Sequence, residues 1–194
     1  MNKKAVMGIG MLIIFIATVL VSAVAAGVLI KSTGLLQQKA LIVEESTRER
    51  LVNGVEVFAV FGTGNVSNES IAEFEFLTRV KPGSTPVQMK NLGISFVSGS
   101  LAFSAELNDS MIGDSCTFSS LIAETQFCFD NRLGNNDTIF EEGELFAIKY
   151  KINASNALPT ETDFEVTFLP KNGALEVQLL RTPQLVLQSK IRIR

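Results

Sequence analysis

Hydrophobic and polar positions divide this chain into three stretches of different period. From Val6 to Ile30, VMGIGMLIIFIATVLVSAVAAGVLI, 25 consecutive residues carry no charge, and Lys3, Lys4 and Ala5 stand ahead of them. A run of that length can cross the roughly 30 Å hydrocarbon core of a bilayer as a helix. A secretory signal also begins with basic residues, but its apolar region is usually about 7 to 15 residues and its cleavage site follows that region. No such site follows here, and the chain from Lys31 onward still reads as helix. Small residues recur through the run at helical spacing, with Thr18, Ser22 and Ala26 in one row and Ala23 and Gly27 in another. Such rows let helix backbones approach closely. A helix that is apolar on every side must be surrounded on every side, by lipid or by copies of itself.

After Ile30 the pattern becomes amphipathic. Leu35, Leu36, Ile42, Val43 and Leu51 alternate with Gln37, Gln38, Lys39, Glu44, Glu45, Arg48, Glu49 and Arg50. One side can meet a partner and the other water. Gly34 is expected to loosen or kink the helix near its middle, and Asn53-Gly54 to stop it. From Val6 to Val52 is 47 residues, roughly 70 Å of unbroken helix. The second half therefore projects beyond any bilayer.

From Val55 the period changes to two. Segments 55–62, 72–80, 93–99, 100–106, 125–129, 145–152, 163–169, 174–180 and 184–194 all read as strands. Phe146, Ile148, Tyr150 and Ile152 face one way and Lys149 and Lys151 the other; Phe164, Val166 and Phe168 alternate with Glu165 and Thr167. Short strands at fairly even spacing, with turns at Pro82-Gly83, Gly134-Asn135 and Asn172-Gly173, predict an antiparallel β-sandwich or barrel. The fold class is thus α+β, one long helix followed by a single β-domain over 53–194.

Composition narrows the function. Fourteen phenylalanines and no tryptophan suit a core between strand faces, and a net charge of −3 gives no reason to expect nucleic acid. The absence of histidine removes Ser-His-Asp and Cys-His catalysis and every His-containing zinc site, so the chain does not read as an enzyme. Cys116 and Cys128 lie 12 positions apart. In an exported domain a disulfide is the natural reading, and two separate buried thiols are the alternative.

The basic leader, the small residue Ala5 and then GIGMLIIFIATVLVSAVAAGVLI resemble the class III, prepilin-type signal of archaeal flagellins, the archaellins. The resemblance is close over Gly8 to Ile30, continues through LLQQKA (35–40), and extends more loosely to VKPGSTPVQMKNLGISFVSG (80–99), FEEGELFAIKYKI (140–152) and the closing RTPQLVLQSKIRI. It implies a leader of residues 1–5, cut between Ala5 and Val6 by a prepilin-type leader peptidase. It also implies a retained assembly helix over 6–52, including Gly8, Gly10, Phe15, Thr18, Ser22, Ala23, Ala26 and Gly27. The fold implied is a type IV pilin-like helix with an immunoglobulin-like β-domain. The function implied is a motility filament polymerised from identical or paralogous flagellins, extracellular once assembled and held in the membrane before. The cysteine pair is not part of the general family pattern. An adhesive archaeal pilin carries the same kind of leader, whereas bacterial pilins place a glutamate at the fifth mature position, here Gly10. A membrane-anchored β-sandwich acting as a binding module is the reading of a different class.

Three further groups carry candidate chemistry. N-x-Ser/Thr sequons occur at Asn65, Asn68, Asn108, Asn136 and Asn153, all outside the helix. The flagellin resemblance favours their glycosylation; the plainer account is that asparagine and serine favour turns. The segment 130–144 is acidic, and Asp130, Asp137 and Glu141 are the residues through which it would hold calcium. Its spacing misses the calcium-loop pattern, so a solvated turn is the leading reading and no cofactor is expected. Lys190, Arg192 and Arg194 stand opposite Leu187, Ile191 and Ile193, as on the solvated side of a strand.

Overall fold

A computed structural model describes residues 3–112, 115–135, 137–186 and 188–193, with side chains at all of these but 3–6 and 111–112. Asn136, Leu187 and Arg194 lie outside the described residues. The chain forms two compact units, Met1–Thr47 and Arg48–Arg194, so the final turn of the helix counts with the β-unit.

The helix, α1, spans Lys3–Val52 and runs through Gly34 without a break. A lone glycine costs a helix only about 1 kcal/mol, too little to interrupt a long hydrogen-bonded ladder. The ladder ends where Asn53 N donates to Glu49 O at 2.9 Å. Inside and just beyond the apolar stretch hydroxyls turn back on the helix itself: Thr18 Oγ1 donates to Phe15 O, Ser22 Oγ to Thr18 O and, past Lys31, Thr33 Oγ1 to Leu29 O, all within 2.8 Å. Satisfied in this way, they can sit in surroundings without water.

Among the described residues the β-unit forms twelve strands: β1 (Val55–Asn65), β2 (Ser70–Val80), β3 (Val87–Gln88), β4 (Leu92–Ser98), β5 (Leu101–Ile112), β6 (Gln126–Leu133), β7 (Ile139–Phe140), β8 (Leu145–Lys151), β9 (Leu158–Pro159), β10 (Asp163–Pro170), β11 (Glu176–Arg181) and β12 (Lys190–Ile193). Ten of them form one sheet in the order β11-β10-β4-β5-β6-β8-β2-β1-β12, with β9 also on β2; β3 and β7 pair separately. The sheet curls until β11 comes into contact with β1, so the domain is nearly closed into a barrel. Across the seam Ala174 N donates to Asn53 O at 2.7 Å.

All the strand pairs are antiparallel among the described residues except β5 with β6. This is a departure from the all-antiparallel expectation. Parallel neighbours need a connection of a dozen or more residues, and the chain between Ile112 and Gln126, which carries Cys116, provides one.

Alternation builds the core. Phe74 and Phe76 on β2, Phe96 on β4, Phe164 and Phe168 on β10, and Tyr150 on β8 all point inward and are buried. Phe74 meets Phe96 and Phe164 at centroid distances of 5.4 and 5.2 Å, and Phe76 meets Phe168 edge-on at 5.4 Å. β2 is not a sheet neighbour of β4 or β10, so these contacts span the barrel interior. Offset and edge-on pairs add about 0.5–1.5 kcal/mol each beyond area burial.

Two strands differ in extent from the periodic reading. β5 continues to Ile112 rather than ending at 106. At the carboxyl end the strand among the described residues is Lys190–Ile193, whereas the alternating pattern predicts strand from 184. In the stretch before it, Ser189 O accepts from Gly64 N at 2.9 Å. Val186, buried, packs so close to Gly64 that a Cβ there would lie 2.8 Å from its Cγ1.

Candidate functional site

The hydrophobic cluster of the β-unit is assembled wholly from residues at or after Val55. No described residue of α1 belongs to that cluster. Met7, Phe15, Val21 and Ile30 are 73, 67, 68 and 74% exposed, and none of the most hydrophobic window is buried. A Cβ placed at Gly8, Gly10 or Gly27 would meet nothing within 4 Å, so no intrachain contact requires glycine at these positions. Thr18, Ser22, Ala23 and Ala26 are likewise exposed on the helix. Ala5 and Val6 are helical in backbone, and their side chains lie outside the described set. Over residues 7–30 the result is a charge-free, apolar cylinder whose described hydroxyls bond within the helix itself.

On the β-unit the sequons fall into two kinds. Asn65, at the end of β1, and Asn68, in the turn to β2, are exposed, as is Asn153 after β8. Asn65 Oδ1 accepts from Ser67 N at 2.9 Å. Asn108 on β5 is half-buried, and its Nδ2 donates to Gln126 Oε1 at 2.9 Å. Asn136 lies outside the described residues.

The acidic segment is taken up by structure. Glu144 is buried, and its two carboxylate oxygens accept from Asn135 N and Glu141 N, both at 2.9 Å, clamping the β6–β8 connection. Asp137 Oδ1 accepts from Ile139 N at 2.8 Å. Asp130 instead faces Lys149 and Arg132 at 3.5 and 3.4 Å. Among the described residues no three acidic side chains converge, so the calcium candidates Asp130, Asp137 and Glu141 are not brought together. Cys116 and Cys128 are joined as a disulfide with Cα atoms 5.5 Å apart, and with Leu121 they make a small second cluster.

Two arrangements carry no local sequence signal. Asn53, 5% exposed, holds the chain where helix gives way to sheet: its Oδ1 accepts from Thr85 N at 2.9 Å and its Nδ2 donates to Thr85 Oγ1 at 2.7 Å. The second is an ionic row on the outer face of the barrel, centred on Glu75, whose side chain is 8% exposed and which is bonded by both Lys190 and Arg132. Lys190 is thus a named partner in an ion pair and not simply part of a solvated stripe. Burial alone would raise the Glu75 pKa, but hydrogen bonds and charge from Lys190 and Arg132 outweigh it and hold the carboxyl below its ordinary value. The Tyr150 hydroxyl is pushed upward, first by burial and then by the charge of Glu124.

The profile of the family described as "Archaeal-type flagellin" matches residues 5–178. The chain belongs to the archaeal-type flagellin family. This flagellin is 30% identical to Flagellin B1 of Methanocaldococcus jannaschii over 100% of its own length and 96% of that protein. It is also 30% identical to Flagellin B1 of Methanococcus voltae over 94% of its length and 91% of the relative. Its fold is similar to that in the archaeal flagellum of Methanospirillum hungatei strain JF1, with a TM-score of 0.68 at 16% identity, covering 95% of this chain and 98% of the other. The flagellin is accordingly a filament subunit of the archaellum, outside the cell, and structural rather than catalytic.

Proposed function

We propose that this flagellin is held in the membrane by α1 as a precursor, that a prepilin-type leader peptidase cuts it between Ala5 and Val6, and that residues 6–52 then polymerise with the same helices of identical or paralogous flagellins. The observation that carries the reading is the continuous apolar surface of α1 over residues 7–30, whose large side chains are exposed. Lys3 and Lys4 favour the cytoplasmic side and would hold the precursor there; their removal frees the helix to leave the bilayer. Water-to-core burial of apolar area yields about 25 cal/mol per Å². Transfer from lipid yields far less, so close packing at Gly8, Gly10, Ala23, Ala26 and Gly27 must supply the difference. The exposed sequons Asn65, Asn68 and Asn153 suit a glycosylated outer domain.

Amino-terminal sequencing of purified filaments tests this directly. The expected first residue is Val6. A start at Met1, or beyond Ile30, would overturn the processing and with it the helix-driven assembly.

A further inference from the structure

β11 turns two of its three apolar residues, Val177 and Leu179, away from the core. Its register on β10 pairs Glu176 with Phe168, Gln178 with Val166 and Leu180 with Phe164. All three β10 partners are buried in the core, so Glu176 and Gln178 share the inward face. Val177 and Leu179 pair with Thr167 and Glu165 on the outward face, where they are 48 and 76% exposed. The apolar stripe continues through Leu169 on β10 and Val97 on β4, which pairs with Glu165. A shallow depression of about 440 Å³ runs beside Leu179, with Val97, Glu165 and Arg181 in its walls.

A register slip of one residue would turn Val177 and Leu179 inward and put Glu176 outside. The observed register is secured by satisfied polar groups instead. Glu176 Oε2 bonds Lys81 Nζ at 2.8 Å, and Glu176 Oε1 accepts from Gln178 Nε2 at 2.9 Å. The fold thus spends a strand's apolar residues on its outer surface, and antiparallel sheets normally keep that face polar.

We infer that the outward stripe of β11, β10 and β4 is a lateral contact that the β-unit of a second copy of this chain covers in the filament; the inference rests on the polymerisation proposed above. Three observations select that occupant. A filament subunit is surrounded by copies of itself, and a helical array joins two different patches, so the stripe meets another part of the neighbouring β-unit. The sequon asparagines among the described residues, Asn65, Asn68, Asn108 and Asn153, lie outside β4, β10 and β11, so these strands carry no described glycan attachment point. Asp163, Glu165 and Arg181 border the stripe, with Arg181 and Asp163 3.6 Å apart. An apolar centre with a rim of mixed charge suits a protein contact, whereas an anionic lipid surface selects a basic rim.

The test uses the full chain in its filament-forming cell, with the photo-crosslinker p-benzoylphenylalanine in place of Leu179 or, as a control, of Ser67. Irradiated filaments should yield covalent flagellin dimers from position 179 at about tenfold the level seen from the same chain dispersed in detergent. The Leu179→Glu variant should keep the melting temperature of the unaltered chain in detergent and lose about tenfold in filament number or length. Filaments that form normally with Leu179→Glu, or that crosslink at position 179 only to lipid, to another protein or no better than the control, would overturn the lateral contact and leave helix-driven polymerisation standing. Failure of the unaltered, processed chain to form filaments would overturn both.

Discussion

Lys190 on β12 lies over the ring of Phe61 on β1, 5.0 Å from its centroid, and donates to the carboxylate of Glu75 on β2, 115 positions earlier in the chain. Arg132 on β6 donates to the other oxygen of the same carboxylate at 2.9 Å. In the sheet order these residues lie on either side of β2, so one acid ties together the outer faces of β6, β8, β2, β1 and β12.

That acid sets a pH dependence. Its folded pKa is depressed, so its contribution is fully present above the unfolded carboxylate value of about 4.3 and is lost as pH falls through the folded pKa. Thermal melts of the full chain in detergent should show stability falling below about pH 4. A Lys190→Ala, Arg132→Ala double variant should be less stable at neutral pH by about 1–3 kcal/mol, a figure discounted because both cations are roughly half exposed. The same variant should lose less on acidification. Glu73, whose pKa is raised by burial against an opposing pull from Lys151, acts with the opposite sign and is relieved by protonation.

Gly173 is required by a close approach. A Cβ there would lie 2.6 Å from Asn53 O, the oxygen that accepts from Ala174 N at 2.7 Å. Gly173→Ala should therefore destabilise the β-unit by about 1–3 kcal/mol in urea titration, through a forced shift of the seam. Gly34→Ala meets nothing within 4 Å and should leave that transition unchanged.

The disulfide closes a short loop with a sequence separation of 12 residues. Cys116→Ser with Cys128→Ser should lower stability by about 2–4 kcal/mol. The barrel cluster does not include either cysteine, so circular dichroism should show the β-sheet retained.

Glycopeptide mass spectrometry of purified filaments should find Asn65, Asn68 and Asn153 modified and Asn108 bare. The Nδ2 of Asn108 is already committed to Gln126 Oε1 in a half-buried position. Gln126→Ala should raise occupancy at Asn108.

Gly27→Leu should leave leader processing and membrane insertion intact, because nothing in the chain lies within 4 Å of that position. Filament yield seen by electron microscopy should fall at least about tenfold, since a bulky side chain keeps neighbouring helices from close approach.

The sequence by itself determined the long helix, its end at Asn53-Gly54 and the β-class of the remaining chain. Each rests on local information: a charge-free run, a stop dipeptide, an alternation of period two. It also carried the family, because the motif from Gly8 to Ala40 is contiguous. The tertiary structure alone decided what depends on register between distant segments. The parallel pairing of β5 with β6, the near closure of the sheet through β11 and β1, and the joining of Lys190 to Glu75 have no signal within any window of neighbouring residues. β11 shows the limit most plainly. Its alternation is legible, but which face of ALEVQLL turns inward is set by hydrogen bonding to β10 and by Lys81 holding Glu176 at the seam. A period of two specifies two faces, and only the neighbouring strand assigns one of them to the core.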